Sequence, residues 1–329
     1  MPLAEKNLIA QVRRLATSSS RKSRQAAGGA IIRGIGDDCA VLRVDAGCDF
    51  LVTTDFTLEG IHFRRDWHPP ESVGHRCLTR GLSDIASMGA EPLAVFLSLA
   101  LPHDLPQSWV NRFITSLTDL AEKHGATIAG GDTSESPGGI LADIIVLGTV
   151  PKGKAILRSA AKPDDRIYVS GKLGGSAAAI ARLRTHPKRK LDPRAYPRHF
   201  FPEPRLELGR MLRQENLISA MIDTSDGLST DLAHICEESG VGAEIEPSRI
   251  PRARMGKPAR EVDLKLALHG GEDYELLFTA RKGKHIPNRI AGATITEIGK
   301  ITRSRGIFQK DSTGQTSKLL PQGWEHFRK

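Results

Sequence analysis

Gly34-Ile35-Gly36-Asp37-Asp38 stands just ahead of a short apolar run, Cys39-Ala40-Val41-Leu42. Two glycines let a backbone turn sharply and approach a ligand closely. Two adjacent carboxylates repel one another unless a cation or hydrogen-bond donors share them. Taken alone the stretch is an ordinary turn, because Gly and Asp are turn residues. The same grouping recurs, however. Thr53-Thr54-Asp55 closes an expected strand at Phe50–Thr54, and Gly130-Gly131-Asp132-Thr133-Ser134 follows a strand at Thr127-Ile128-Ala129. Asp223-Thr224-Ser225-Asp226-Gly227 ends a strand at Leu217–Ile222, and Gly270-Gly271-Glu272-Asp273-Tyr274 precedes one at Glu275–Phe278. Strands that deliver glycines, carboxylates and hydroxyls to their ends, with helices between them, predict an α/β (α+β) architecture.

Working outward, the helices carry the clearest periodicity. Val73, Cys77, Leu78, Leu82 and Ile85 predict a helix over 71–88, with Asp84 bordering the apolar stripe. Further helices are expected at 4–15, Trp109 to Lys123, 205–214 and Leu228 to Ser239, and buried-type strands at Leu93–Leu101 and Ile140–Val150. Ser18 to Gly29 reads as a mobile loop. A length of 329 residues suits two domains better than one. Pro151-Lys152-Gly153 marks the boundary, giving domains 1–150 and 151–329. Ser170 to Ser176 joins a strand to a helix through glycines, an anion-binding shape. It matches neither the P-loop nor the dinucleotide fingerprint, so it is read as a connection chosen for turning.

Composition narrows the function classes. Lys+Arg 47 against Asp+Glu 38 gives +9, yet aromatics are only 5%. Nothing interleaves basic and aromatic residues as a base-stacking platform requires, so a nucleic-acid partner is not expected. Much of the positive charge falls in expected loops, including the basic insert around 186–198. The four cysteines, Cys39, Cys48, Cys77 and Cys236, form no C-x-x-C pair. They fit reduced thiols in a cytoplasmic protein. No secretory leader is seen, and the longest apolar run is too short to cross a membrane.

The candidate ligands are Asp37, Asp38, Asp55, Asp84, Asp132, Asp223, Asp226, Glu272 and Asp273. They are hard oxygens, suited to Mg²⁺ and not to zinc. Mg²⁺ commonly joins a few carboxylates to substrate phosphates, so several ions around a polyphosphate are expected. Phosphoryl transfer asks mainly for positioning and charge neutralisation. An acceptor that is itself a phosphate is already ionised and needs no strong base. That agrees with the lack of a recognisable Ser-His-Asp or Cys-His arrangement.

At these residues the chain resembles the thiamine-monophosphate kinase family, of the aminoimidazole ribonucleotide synthetase-like superfamily. The motifs are GIGDDCAVL (34–42), TTDFTLEGIHF (53–63), LSDIASMGA (82–90), GGDTS (130–134), IDTSDGLSTDLAHI (222–235), GGEDYELLFT (270–279) and GWEHF (323–327). The resemblance implies a homodimer in which the N-terminal mixed sheet and its helices build a barrel between subunits. It implies a C-terminal α/β domain that completes the nucleotide and substrate site. ATP is the implied co-substrate, thiamine monophosphate the acceptor and Mg²⁺ the cofactor. By motif position, Asp38, Thr53, Thr54, Asp55, Asp84, Asp132, Asp223 and Asp226 correspond to metal ligands. Among these Asp55, Asp84, Asp132 and Asp223 are taken as the catalytic set. Gly131, Asp132, Arg158 and Ser225 correspond to nucleotide positions, and His62, Glu272 and Trp324 to substrate positions.

The plainer readings are a surface-loop histidine for His62, a core-capping aromatic for Trp324 and a structural ion-pair partner for Arg158. Two positions depart from the family pattern. Gly81 stands where Asn is usual, and Phe113-Ile114 where a nucleotide-contacting tyrosine is often found. The rivals are another ATP-dependent synthetase of the superfamily, a basic nucleic-acid-binding protein and a nucleotide sensor without turnover. Selenophosphate synthetase chemistry requires a reactive Cys or selenocysteine near the N-terminus, and residues 1–38 hold none. Carboxylates gathered at strand ends oppose nucleic acid, and the intact aspartate set opposes a silent sensor.

Overall fold

A computed structural model describes residues 3, 7–16, 30–35, 39–188, 190–256, 258–325 and 327. The expected loop at Ser18–Gly29 and the pair Asp37-Asp38 lie outside the described residues. The chain divides into two compact units, Met1–Ile85 with Ala90–Gly153, and Ala86–Gly89 with Lys154–Lys329.

The first unit holds helix α1 over residues 7–16 and a small antiparallel pair, β1 (Ile31–Arg33) and β2 (Val41–Leu42). Its main sheet comprises β3 (Cys48–Leu58), β4 (Glu91–Pro102), β5 (Thr127–Ser136) and β6 (Leu141–Pro151), in the order β3-β6-β4-β5. β6 runs antiparallel to β3 and β4, whereas β4 and β5 are parallel. The sheet is mixed and, among the described residues, open; one chain closes no barrel.

Helices α2 (Pro70–Ser87) and α3 (Gln107–Lys123) belong to the face carrying the buried Ile144, Val146, Leu97 and Leu99. Gly81 explains its own identity there. A Cβ on it would stand 2.4 Å from Val146 Cγ2, so α2 approaches β6 more closely than Asn permits. Phe113 and Ile114 are core residues, 1% and 0% exposed, and Phe113 stacks on Trp109 at 5.5 Å.

Two expectations about strand ends need correction. β3 runs eleven residues, in unbroken register from Cys48 opposite Pro151 to Leu58 opposite Leu141. Thr53-Thr54-Asp55 therefore lies inside the strand. β5 likewise continues through Gly130-Gly131-Asp132 to Ser136. Backbone pairing with the neighbouring strand carries both through residues of low strand propensity. Both are edge strands of the sheet among the described residues.

The second unit is built on an eight-stranded sheet. Its strands are β7 (Arg166–Ser170), β8 (Ala220–Asp223), β9 (Gly242–Ile245), β12 (Leu276–Ala280), β13 (Arg289–Ile290), β14 (Ala293–Thr302), β15 (Gly306–Lys310) and β16 (Thr316–Lys318). A separate hairpin pairs β10 (Arg254–Met255) with β11 (Arg260–Glu261). The order is β16-β15-β9-β14-β7-β12-β8, with β13 attached to β14. Helices α4 (Gly175–Thr185), α5 (Pro197–Phe200), α6 (Leu206–Gln214), α7 (Leu228–Ser239) and α8 (Leu264–His269) complete it. Leu228, Leu232 and Ile235 from α7 share one core with Ile167 and Val169 of β7, Ile222 of β8 and Leu277 of β12. That core fixes where the turn between β8 and α7 emerges.

Candidate active site

In the first unit, strand alternation sorts the predicted ligands onto two faces. Thr53 and Asp55 point the same way, toward α2. Thr53 Oγ1 donates to Asp84 Oδ2, and Arg80 Nη1 of the same helix reaches Asp55 Oδ1 at 3.3 Å. Thr54 points to the opposite face, where its hydroxyl donates to Asp143 Oδ1 at 2.9 Å. Cross-strand register puts Phe56, Asp143, Ser98 and Asp132 in one row on that second face. Asp55 and Asp132 thus sit on opposite edge strands, about 14 Å apart at three strand spacings. Asp132 Oδ1 also accepts its neighbour Thr133 N at 2.8 Å, and Gly131 lies opposite Leu97.

His62 is set by the loop after β3. Its Nδ1 accepts Leu58 N at 2.9 Å, and its carbonyl accepts Arg76 Nη2 at 3.3 Å. A neutral ring that accepts at Nδ1 carries its proton on Nε2 and is a donor there. Glu59 anchors the same loop: it pairs with Arg65 at 2.6 Å and its Oε2 accepts Ile140 N at 3.0 Å.

In the second unit three motif segments converge. Asp223 ends β8, and Ser225 Oγ approaches its Oδ1 at 3.5 Å. Glu272 N donates to Ser225 O at 2.8 Å, Tyr274 N to Thr224 O at 3.0 Å and Trp324 N to Asp226 O at 2.9 Å. The substrate candidates Glu272 and Trp324 are therefore fastened to the segment carrying the metal and nucleotide candidates. Glu272 and Tyr274 take positive φ, 64° and 51°, a strained choice held by this stitching. Sequence reasoning passed over Asp231, whose Oδ2 accepts Gly227 N at 2.9 Å. Burial, then the charges of Asp223 and Asp226, push its carboxyl well above the ordinary range. Arg158 begins a 3₁₀ turn (Arg158–Ala160) and is exposed; Ser239 Oγ donates to its carbonyl at 2.9 Å.

The glycine loop before α4 is filled from within. Asp273 accepts Gly174 N at 2.6 Å and Ser176 N at 3.4 Å, so this expected ligand is spent on the loop's own N–H groups. Burial, partly offset by those two donors, raises its carboxyl to about 7. Glu275, 0% exposed, lies beneath it. Arg205 grips Glu275 in a fork (2.8 and 2.6 Å), Arg198 reaches it at 3.0 Å and Ser170 Oγ at 2.6 Å. Burial would raise the Glu275 carboxyl, but these partners hold it below the usual range. Arg198 shows what the end of the basic insert does: it also donates to Lys172 O at 3.2 Å.

Each unit thus gathers part of the predicted set. Thr53, Asp55 and Asp84 come together in the first, away from Thr54 and Asp132. Asp223, Ser225, Asp226, Glu272 and Trp324 share one knot in the second. Asp38 lies outside the described residues. Among the described residues, no three His, Cys, Asp or Glu side chains are grouped to hold a metal.

Paired open-sheet domains that present carboxylates and glycines define a class. Residues 36–150 match the model of the AIR synthase related protein N-terminal domain, and residues 162–309 that of the C-terminal domain. Within that class, the chain belongs to the thiamine-monophosphate kinase family. It is 38% identical to thiamine-monophosphate kinase of Escherichia coli K12 over 308 residues, covering 89% of this chain and 91% of the relative. It is 34% identical to that of Bacillus subtilis 168, covering 90% and 93%. Among solved structures, thiamine-monophosphate kinase from Stenotrophomonas maltophilia K279a superposes with a TM-score of 0.78 at 32% identity, covering 96% of this chain and 99% of that one. AaThiL complexed with AMPPCP and TMP superposes with a TM-score of 0.75 at 31% identity, covering 92% and 94%. The E. coli hydrogenase maturation protein HypE, at 19% identity and a TM-score of 0.71, shares the fold alone.

Proposed function

We propose that this chain transfers the γ-phosphoryl group of ATP to thiamine monophosphate, giving ADP and thiamine diphosphate. The observation that carries it is the kinship with AaThiL, solved with AMPPCP and TMP, across 92% of this chain. The acceptor oxygen is a phosphate oxygen, already ionised, so the protein's task is positioning and charge neutralisation. His62, with its proton on Nε2, is a donor suited to an anionic or ring-nitrogen acceptor. Glu272 and Trp324 offer a carboxylate and a flat aromatic to a cationic thiazolium.

The cofactor implied is Mg²⁺. The donor set fits it, being carboxylate and hydroxyl oxygen throughout, and burial together with the charges of Asp223 and Asp226 makes the Asp231 carboxyl costly to ionise. Asp38, Thr53, Thr54, Asp55, Asp84, Asp132, Asp223 and Asp226 would hold it as several separate ions, since Asp55 and Asp132 stand too far apart to share one, with Gly131, Arg158 and Ser225 serving the nucleotide. Bound there, it would neutralise charge on the phosphoryl oxygens. In this reading residues 1–150 carry the ATP, metal and dimerisation roles, and residues 151–329 carry further nucleotide and substrate residues.

A second copy of the chain covers the open sheet face. Phe50, Val52 and Phe56 are 42%, 62% and 54% exposed on one face of β3, an apolar stripe of the kind a partner surface covers. The cytoplasm suits an ATP-consuming enzyme with unpaired buried thiols at Cys77 and Cys236. No helix among the described residues is long and apolar enough to cross a membrane.

The test is formation of ADP and thiamine diphosphate from ATP and thiamine monophosphate, with and without Mg²⁺, in wild type and Asp55→Asn. Mg²⁺-dependent product, lost in the variant, supports the reaction and the metal role together. ATP consumption without thiamine diphosphate would mean a different acceptor.

A further inference from the structure

The C-terminal segment at 322–324 is seated on the first turn of α7. Ser229 Oγ accepts Gln322 N at 3.4 Å, and Thr230 Oγ1 accepts Gly323 N at 3.0 Å. Asp226 O then accepts Trp324 N at 2.9 Å. The fit leaves no room for a side chain at 323: a Cβ there would stand 2.1 Å from Asp226 O and 2.5 Å from Thr230 Oγ1. Behind the seat, Ser229 Oγ pairs with His269 Nδ1 at 2.8 Å, and His269 leads directly into Gly270-Gly271-Glu272.

The consequence lies in what these bonds fix. A tryptophan outside any helix or strand, as Trp324 is, has to be ordered when a ligand stacks on it, and that ordering weakens binding. Here three successive backbone N–H groups are tied down before any ligand arrives. The hydroxyls of Ser229 and Thr230 point along the tail and carry two of those three ties. We propose that Thr230, supported by Ser229, is a positioning residue that pre-orders Trp324 and thereby sets the affinity for the thiamine ring. This rests on the kinase reading above, in which Trp324 meets that ring. Thr230 acts through the tail, by the bond its hydroxyl accepts from Gly323 N.

Steady-state kinetics of the full chain, varying each substrate in turn, tests the idea in Thr230→Val, Thr230→Ser and Gly323→Ala. Acrylamide quenching of Trp324 emission, taken as the difference from Trp324→Phe, reports the seat without substrate. Loss of one hydrogen bond whose donor stays behind should raise the KM for thiamine monophosphate about tenfold in Thr230→Val, with the KM for ATP within about twofold of wild type. Trp324 should become more quenchable, and Thr230→Ser should restore both readings. Gly323→Ala should move them in the direction of Thr230→Val. A merely structural hydroxyl would instead lower the melting temperature and shift both KM values alike. Wild-type turnover with an unmoved thiamine-monophosphate KM in Thr230→Val, or unchanged quenching, overturns the inference and leaves the kinase reading standing. Absence of wild-type turnover on thiamine monophosphate overturns both.

Discussion

The turn from β7 into α4 and the turn from β8 into α7 leave strands on either side of β12. Both pass through hydroxyl and glycine residues and open a helix, whose N-terminus attracts negative charge. At α4 the charge comes from the core: Asp273 takes the N–H groups of Gly174 and Ser176, and Glu275 with Arg198 and Arg205 braces the loop from below. At α7 the helix turns its own Asp231 back to Gly227 N, and Asp223, Ser225 and Asp226 remain on the turn. One helix start is thus saturated by the fold. The other gathers Asp223, Asp226 and Asp231, and in the reading proposed above Asp223 and Asp226 hold a cation there.

The contrast can be broken most forcefully at Glu275. Glu275→Gln leaves two guanidinium groups facing a neutral amide, and stability should fall by about 3–5 kcal/mol, read by chemical denaturation. An unmoved denaturation midpoint would remove the brace from the account of α4. At the other turn, Asp223→Asn should lower kcat by roughly 10²–10³-fold without lowering the melting temperature, because it removes a negative charge beside Asp231. Equal losses of activity and stability would make the two turns alike.

A pH series sharpens the comparison. The folded Asp273 carboxyl titrates at about 7, above its ordinary 3.8, so the folded state holds a proton the unfolded chain has released. Stability from this group is then full below about pH 4 and declines as pH rises to about 7, by at most about 1.4 kcal/mol per pH unit. Asp273→Asn does not titrate, so the wild-type advantage over it should shrink across that window and stay flat above it. A growing advantage would contradict the burial argument. The smallest effect belongs to Ser170→Ala. It loses the bond to Glu275 and the one from Leu276 N, costs about 1–2 kcal/mol and should leave the KM for ATP unchanged.

How much of this could be read beforehand depended on whether the signal was local. The helices at 71–88 and 228–239 were legible because apolar spacing and flanking glycines are local. The turn at Asp223–Gly227 was legible because two carboxylates, two hydroxyls and a glycine follow a short apolar run. The position of Thr53-Thr54-Asp55 within β3 was not, since pairing with β6, nearly a hundred residues away, decides it. β9, β14 and β15 went unmarked for the same reason. The first pairs in parallel with the last and antiparallel with the second, and no local pattern encodes such neighbours. Asp273 looked like a ligand because a carboxylate beside glycines is ambiguous until the fold shows which way it faces. Asp143, Asp231 and Glu275 escaped notice as lone polar residues in apolar surroundings. Only Asp231 offered a hint, four residues after Gly227 and so one helical turn away.

The position of β7 also has a consequence in time. Its partners on both sides, β12 and β14, are encoded long after it; Ser170 meets Glu275 across 105 residues. All four strands of the first sheet are made by Pro151, so that sheet can form while the ribosome is still working. At roughly 5–20 residues per second, Ile167, Tyr168 and Val169 then wait roughly 5–20 s for the strands that will flank them. During that interval the middle of the later sheet is an apolar ribbon with two unmade edges. The yield of native protein should therefore depend on chaperone supply and growth temperature more through β7 than through any residue of the aspartate turns.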